Sequence, residues 1–215
     1  MPPKSETKIP DASFELELPA VETGGCSVLM IGSTRSGKST ALKHIIDNYF
    51  KKHCGVLFSQ SAKAAAYKDM KYPLIPLSSA FVPELIHDFY VINKETKNHY
   101  PFLVIIDDCP LVRNDKELLK LTTIYRNSGL SSIVCCQALA MLNPTCRSNI
   151  NFVLLFQLNN TDAIEKTIKN FLRGYLPQGW NMDYKIAWYK AHTADHHFLF
   201  IDNLHGTIQR CKIDW

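Results

Sequence analysis

Apolar residues along this chain fall into short unbroken runs, separated by stretches in which they recur every three or four positions. Ser27–Ile31, Gly55–Ser59, Phe102–Ile106, Ser132–Cys136 and Phe152–Gln157 are runs of five or six residues. They are too short for helices, and a strand with one wet face would alternate; parallel strands covered on both faces give this pattern. Between them, Lys38–Phe50 puts Leu42, Ile45, Ile46 and Tyr49 on one helical face. Pro83 suits the first position of a helix running to about Lys97. Asn114 is placed to cap a helix over Asp115–Arg126, and Thr161 to cap one that reaches Leu172 and ends at Gly174. Leu74–Leu77 reads as a short edge strand. Strands alternating with helices predict an α/β fold with a mostly parallel central sheet flanked by helices. After Pro177 and Gly179, Lys185–Lys190, His197–Asp202 and Thr207–Ile213 read as strands of a β-rich extension over about 180–215. Residues 1–24 are polar and proline-bearing, an arm laid on a single domain that occupies 25–215.

The length of 215 residues is enough for one such domain with a sizeable core and leaves no room for a second large one. The net charge of +4 permits contact with nucleic acid without arguing for it. The surplus is uneven: Arg35–Lys71 holds eight Lys/Arg against two Asp. This fits either a solvated helix face or a phosphate-contacting patch. The N-terminal residues lack an apolar leader segment, and no apolar run approaches the roughly 18 residues of a membrane span, so neither secretion nor a membrane span is expected. The seven cysteines include no CxxC pair, and Cys26, Cys109, Cys135 and Cys136 fall in or beside core strands. Reduced, buried thiols in an intracellular protein are the expectation.

Chemistry enters at the end of the first apolar run. Gly32–Ser39 spells G-x-x-x-x-G-K-S after a strand and before a helix. Glycine at positive φ lets the strand stop at Gly32 and the chain wrap, so that loop N–H groups point at phosphates beside a helix N-terminus. Gly32, Ser33, Thr34, Arg35, Ser36, Gly37, Lys38, Ser39 and Thr40 are therefore expected to bind ATP. Lys38 would neutralise the β/γ-phosphates and Ser39 would offer its hydroxyl to Mg²⁺. In FLVIIDDCP, an apolar strand is expected to deliver Asp107 to the same edge, where it would hold Mg²⁺ through water. Asp108 would orient the attacking water, one methylene shorter than the glutamate most hydrolytic motors carry there; otherwise it simply ends the strand. Gln137 follows the run Ser132–Cys136 and is placed to touch both the γ-phosphate and the water. Arg147 is the first candidate for an arginine that neutralises transition-state charge, with Arg126, Arg113 and Arg35 behind it. The group His192, Asp195, His196 and His197 suggests a metal, but strand alternation would send His196 and His197 to opposite faces, so polar edge residues are the better reading. Trp180, Trp188 and Tyr189 are expected to pack rather than to stack on bases.

Taken in order, GSTRSGKST, VLFSQSAK, VIIDDCP, SSIVCCQ and RSNINFVLLF resemble the FtsK–HerA superfamily, specifically its poxvirus-type branch of viral DNA-packaging ATPases. The closing HFLFID and RCKIDW segments are similar to that branch as well, and the resemblance spans about residues 24–205. It implies a RecA-like (ASCE) P-loop core. It further implies a homo-oligomeric ring, pentameric or hexameric, that hydrolyses ATP with Mg²⁺ to drive double-stranded DNA into a preformed capsid. The partners implied are DNA and capsid or portal-vertex proteins, at the intracellular site of virion assembly or with the virion. By position, Lys38, Asp107, Asp108 and Gln137 would be catalytic, with Arg147 acting in a neighbour's site. Two other classes fit the P-loop alone: a small nucleoside or nucleotide kinase, for which no arginine-dense lid is present, and a slow nucleotide-dependent assembly switch, which the Asp108 change would suit.

Overall fold

The computed structural model describes residues 9–19, 24–60, 67, 74–97, 100–109 and 115–213. Among them, nine strands form one sheet. They are β1 (Asp11–Ser13), β2 (Ser27–Ile31), β3 (Cys54–Ser59), β4 (Ile75–Ser78), β5 (Phe102–Asp107), β6 (Leu130–Cys136), β7 (Phe152–Leu155), β8 (Phe198–Asp202) and β9 (Thr207–Lys212). Their spatial order is β1-β9-β8-β7-β2-β6-β5-β3-β4. From β7 through β4 every pairing is parallel, so these strands share one C-terminal edge. β8 runs antiparallel to both β7 and β9, and β1 closes the far edge parallel to β9. The arrangement is the mostly parallel, helix-flanked sheet of a RecA-like P-loop core, with β8 and β9 as its extension.

The apolar runs are buried on both faces because each supplies alternate side chains to two cores. Leu29, Ile31, Val104, Ile106, Val153 and Leu155 enter one cluster. Val28, Met30, Leu103, Ile105, Phe152 and Leu154 enter the other. The second cluster is covered by α1 (Lys38–Tyr49) through Ala41, Leu42, Ile45 and Ile46. The described part of the N-terminal segment joins it there through Phe14 and Leu16, and Tyr49 donates to the Phe14 carbonyl at 3.2 Å. The opposite cluster is covered by α2 (Pro83–Glu95), α3 (Lys116–Thr123), α4 (Pro144–Ser148), α5 (Thr161–Thr167) and α6 (Met182–His192).

Several local expectations change. Lys185–Lys190, expected as a strand, lies inside α6. Asn181 caps that helix by accepting from the Tyr184 N–H at 2.9 Å, with Asp183 in the first turn and Lys190 and His192 in the last. Asn160, not Thr161, caps α5, and beyond Thr167 the helix widens into a π turn over Ile168–Leu172. Asp115 caps α3, which stops at Thr123 and is followed by a tight 3₁₀ turn at Tyr125–Ser128. The expected cap Asn114, the candidate Arg113 and the lysines Lys63, Lys68 and Lys71 of the basic stretch lie outside the described residues. Within that stretch, Lys43 pairs with Asp47 at 3.3 Å.

Candidate functional site

The phosphate-type loop is built where β2 stops. Gly32 N–H donates to the Cys136 carbonyl of β6 at 3.2 Å, and Ser33 N–H donates to the Gln157 carbonyl after β7 at 2.9 Å. The loop is thus stitched to both sheet neighbours before it turns. Positive φ, expected at Gly32, is found instead at Gly37 (101°), which leads into α1, and at Arg35 (63°). Gly32 is required for space: a Cβ there would come within 2.6 Å of both Phe156 Cβ and Ser36 Oγ. No acid occupies the first turn of α1, so the partial positive charge of its N-terminus remains available to an anion.

Lys38 is 7% exposed, and its Nζ donates to the Gly32 carbonyl at 2.6 Å and the Ser33 carbonyl at 2.8 Å. Both bonds hold the ammonium inside the loop. Ser36 Oγ is buried with no hydrogen-bond partner among the described residues. A buried hydroxyl without a partner, in a loop that leads into a helix N-terminus and holds a buried ammonium, fits a tightly held polyanion. The open cleft in front measures about 280 Å³ and is bounded by Thr34, Lys38, Ser39, Thr40, Asp107 and Asp108.

Asp107 reaches this cleft because β6 lies between β2 and β5 in register. Asp107 pairs with Cys135, and Ile31 pairs with Cys136, so all three strands end level. The Asp107 carboxyl is 5% exposed and is held above the ordinary carboxylate range, first by burial and also by Asp108, against the pull of the Tyr67 hydroxyl and Lys38. Tyr67 donates its hydroxyl to Asp107 Oδ2. No motif marked Tyr67, which lies 40 residues earlier in the chain. Asp108 adopts a left-handed conformation at φ 49°, turning its side chain out of the strand, where Gln137 Nε2 donates to Asp108 Oδ1 at 3.3 Å. The structure therefore brings Gly32–Thr40, Asp107, Asp108 and Gln137 together at one sheet edge.

The arginines divide. Arg35 borders the cleft. Arg126 sits at the opposite end of β2: it donates to Asn151 Oδ1 at 2.8 Å, and that same oxygen accepts from Ser27 N–H at 2.9 Å. It clamps strand starts and does not face the loop. Arg147 lies on α4 and donates to Asn170 Oδ1 at 2.9 Å, away from the residues that bound the Lys38 cleft.

The histidine group is not arranged by strand alternation. His196 and His197 lie in the turn between α6 and β8, where Asp195 and His196 have φ of 53° and 62°. His192 stacks on Trp188 with centroids 4.1 Å apart, and His197 Nδ1 lies 3.0 Å from the Ala194 carbonyl. Among the described residues no group of three His, Cys, Asp or Glu is arranged to hold a metal. His196, however, borders the cleft with Lys38 and Asp107. No helix of the described residues is long and apolar enough to cross a membrane.

Comparison with known proteins gives concordant results. The family model described as poxvirus A32 protein matches residues 24–174. Uncharacterized protein 015R of frog virus 3 (isolate Goorha) is 30% identical over 161 residues, covering 70% of this chain and 49% of that protein. The chain therefore spans about half the length of that relative. Among solved structures, B204, the DNA-packaging ATPase of Sulfolobus turreted icosahedral virus, superposes with a TM-score of 0.65 at 15% identity, covering 90% of this chain and 100% of that one. The genome-packaging NTPase B204 of Sulfolobus turreted icosahedral virus 2, in complex with AMPPCP, gives 0.60 at 15% identity over 89% and 98%. At such identities the two structures establish the shared fold.

Proposed function

The chain belongs to the poxvirus A32 protein family, and from that premise we propose that it is an ATP-hydrolysing motor that moves double-stranded DNA into a viral capsid. The observation that carries the reading is the convergence of the Gly32–Ser39 loop, Asp107, Asp108 and Gln137 on one edge of the sheet, with β6 between the loop strand and the acid strand. A binding module needs only the loop. A hydrolase also needs an acid for the metal, a group for the water and a side chain that touches both water and phosphate.

In this reading the loop N–H groups and Lys38 hold the phosphates, and Ser39 and Asp107 hold Mg²⁺. The metal, when bound, neutralises phosphate charge. Asp108 orients the attacking water, and its left-handed backbone together with the Gln137 amide at 3.3 Å compensates for a side chain shorter than glutamate. Gln137, joined to Asp108, reports whether the γ-phosphate is still attached. Arg147 does not border its own chain's cleft, which supports a role in a neighbour's site within a homo-oligomeric ring of five or six copies. Residues 25–215 act as one ATPase domain, a reading supported by β8 and β9 continuing the same sheet, with 1–24 as an arm whose β1 is laid on that sheet's edge beside β9. Capsid or portal-vertex proteins are the further partners, at the site of virion assembly.

The test is steady-state ATPase activity with and without double-stranded DNA, beside a size measurement in the presence of ATP. DNA stimulation and a ring are expected. Lys38→Ala should abolish nucleotide binding and turnover, by removing the cation buried in the loop. Turnover that needs a small phosphoryl acceptor, without a ring, would make the protein a kinase. A ring with slow, DNA-independent turnover would make it an assembly switch.

A further inference from the structure

We propose that His196 is a phosphate-contacting residue of the nucleotide site, contributed by the turn that opens β8; the proposal rests on the reading of Gly32–Ser39 as an ATP site. Topology brings the residue there. β8 is antiparallel to β7, so its first residues lie at the edge where the parallel strands end, with Leu199 opposite Leu155. Phe198 then packs on Phe156 with ring centroids 4.9 Å apart, and Phe156 is the residue that walls Gly32. The turn just before Phe198 must therefore project over the loop.

Its geometry is specific. His196 Nδ1 lies 3.8 Å from the point a Cβ on Gly37 would occupy, and the residue borders the cleft with Lys38, Ser39 and Asp107. Gly37 leads directly into α1, whose N-terminus, with no acid in its first turn, would favour an anion. Apart from Gly37 the other cleft residues are polar or charged, so an imidazole at this border would meet phosphate oxygens rather than an apolar base platform. The turn is held rigidly. His197 N–H donates to the Ala194 carbonyl at 3.0 Å, Thr193 Oγ1 donates to the Tyr189 carbonyl at 2.9 Å, and Tyr189 donates to the Phe156 carbonyl at 2.6 Å.

The backbone is also unfavourable for a side chain of this type. Five non-glycine residues among those described have positive φ; Arg35, Asp108 and His196 border the cleft, and Asp195 immediately precedes His196. Glycine would suit the His196 position better. Such conformations concentrate where the side chain has a task that the fold must hold in place.

This separates stability from binding. The experiment measures MgATP affinity by calorimetry and inorganic tripolyphosphate by displacement of a fluorescent nucleotide, for wild type, His196→Gly, His196→Asn and Lys38→Ala. His196→Gly keeps the left-handed turn and should melt no lower than wild type without nucleotide, yet bind both ligands about ten- to a hundredfold more weakly, the loss expected of one charge-assisted hydrogen bond. His196→Asn, which tolerates the turn and keeps an N–H donor, should recover part of that loss. Unchanged MgATP affinity in His196→Gly, with binding lost in Lys38→Ala, overturns the proposal and leaves the ATP site standing. A loss for MgATP but none for tripolyphosphate assigns the contact to base or sugar and overturns it as well. If Lys38→Ala also binds like wild type, the nucleotide reading falls and His196 with it.

Discussion

Asp107 is 5% exposed, and its carboxyl is held above the ordinary range chiefly because it is buried. Between the ordinary carboxylate value of 3.8 and that raised value, the folded protein keeps a proton that the unfolded chain has released. The favourable contribution is therefore complete below 3.8 and is lost as pH rises through the folded value. Above that folded value the protein bears a buried carboxylate, the group that in the proposed site would hold Mg²⁺. Asp107→Asn should melt roughly a few degrees higher than wild type at pH 7, and the gap should close toward pH 4. Calorimetry at the two pH values checks this, and an equal or lower melting point at pH 7 would sink it. The same variant should lose Mg²⁺-dependent tightening of nucleotide binding. Sequence spacing was enough to find Asp107, because an acid at the end of an apolar strand after a P-loop is a local signal. It was not enough to find Tyr67 or His196, which meet the site only through contacts spanning 40 residues or more.

At the scale of elements, α6 shows how a local reading goes astray. Tyr184–Lys190 is rich in aromatic and apolar residues that favour strands, yet Asn181 caps a helix there and Ile186 and Tyr189, one turn apart, face the core. The Asn181 cap and the first-turn Asp183 were legible signals. What the sequence did not contain is the surface that rewards the helix. The Tyr189 hydroxyl is fully buried, its pKa is pushed up by that burial, and it donates to the Phe156 carbonyl. Tyr189→Phe removes this donor and should cost about 1–3 kcal/mol in urea unfolding. Because α6 carries the turn that holds His196, nucleotide affinity should weaken too. A variant as stable as wild type would mean that α6 is anchored by apolar packing alone.

The described residues present their parallel strand ends at one edge, and the extension continues the sheet beside them with the turn that opens β8 at the cleft. Arg147 is the residue whose role depends on assembly. On its own chain it is held by Asn170, outside the Lys38 cleft. In the proposed ring, Arg147→Ala mixed with wild type should depress DNA-stimulated ATPase below the value set by dose, since one defective copy disables a neighbour's site. Activity falling in simple proportion to the fraction of variant would remove Arg147 from the trans role. The residue order by itself determined the buried strands β2, β3, β5, β6 and β7, the Gly32–Ser39 loop, the acid that ends β5 and the superfamily resemblance, because periodicity, turn chemistry and motif spacing act over a few residues. Only the tertiary structure decided that β6 also pairs with β2, that β8 runs antiparallel and starts at the site, and that His196 and Tyr67 stand beside the loop and Asp107. Strand order and direction are chosen by pairing between segments far apart in the chain, where burial of both sheet faces outweighs any local preference.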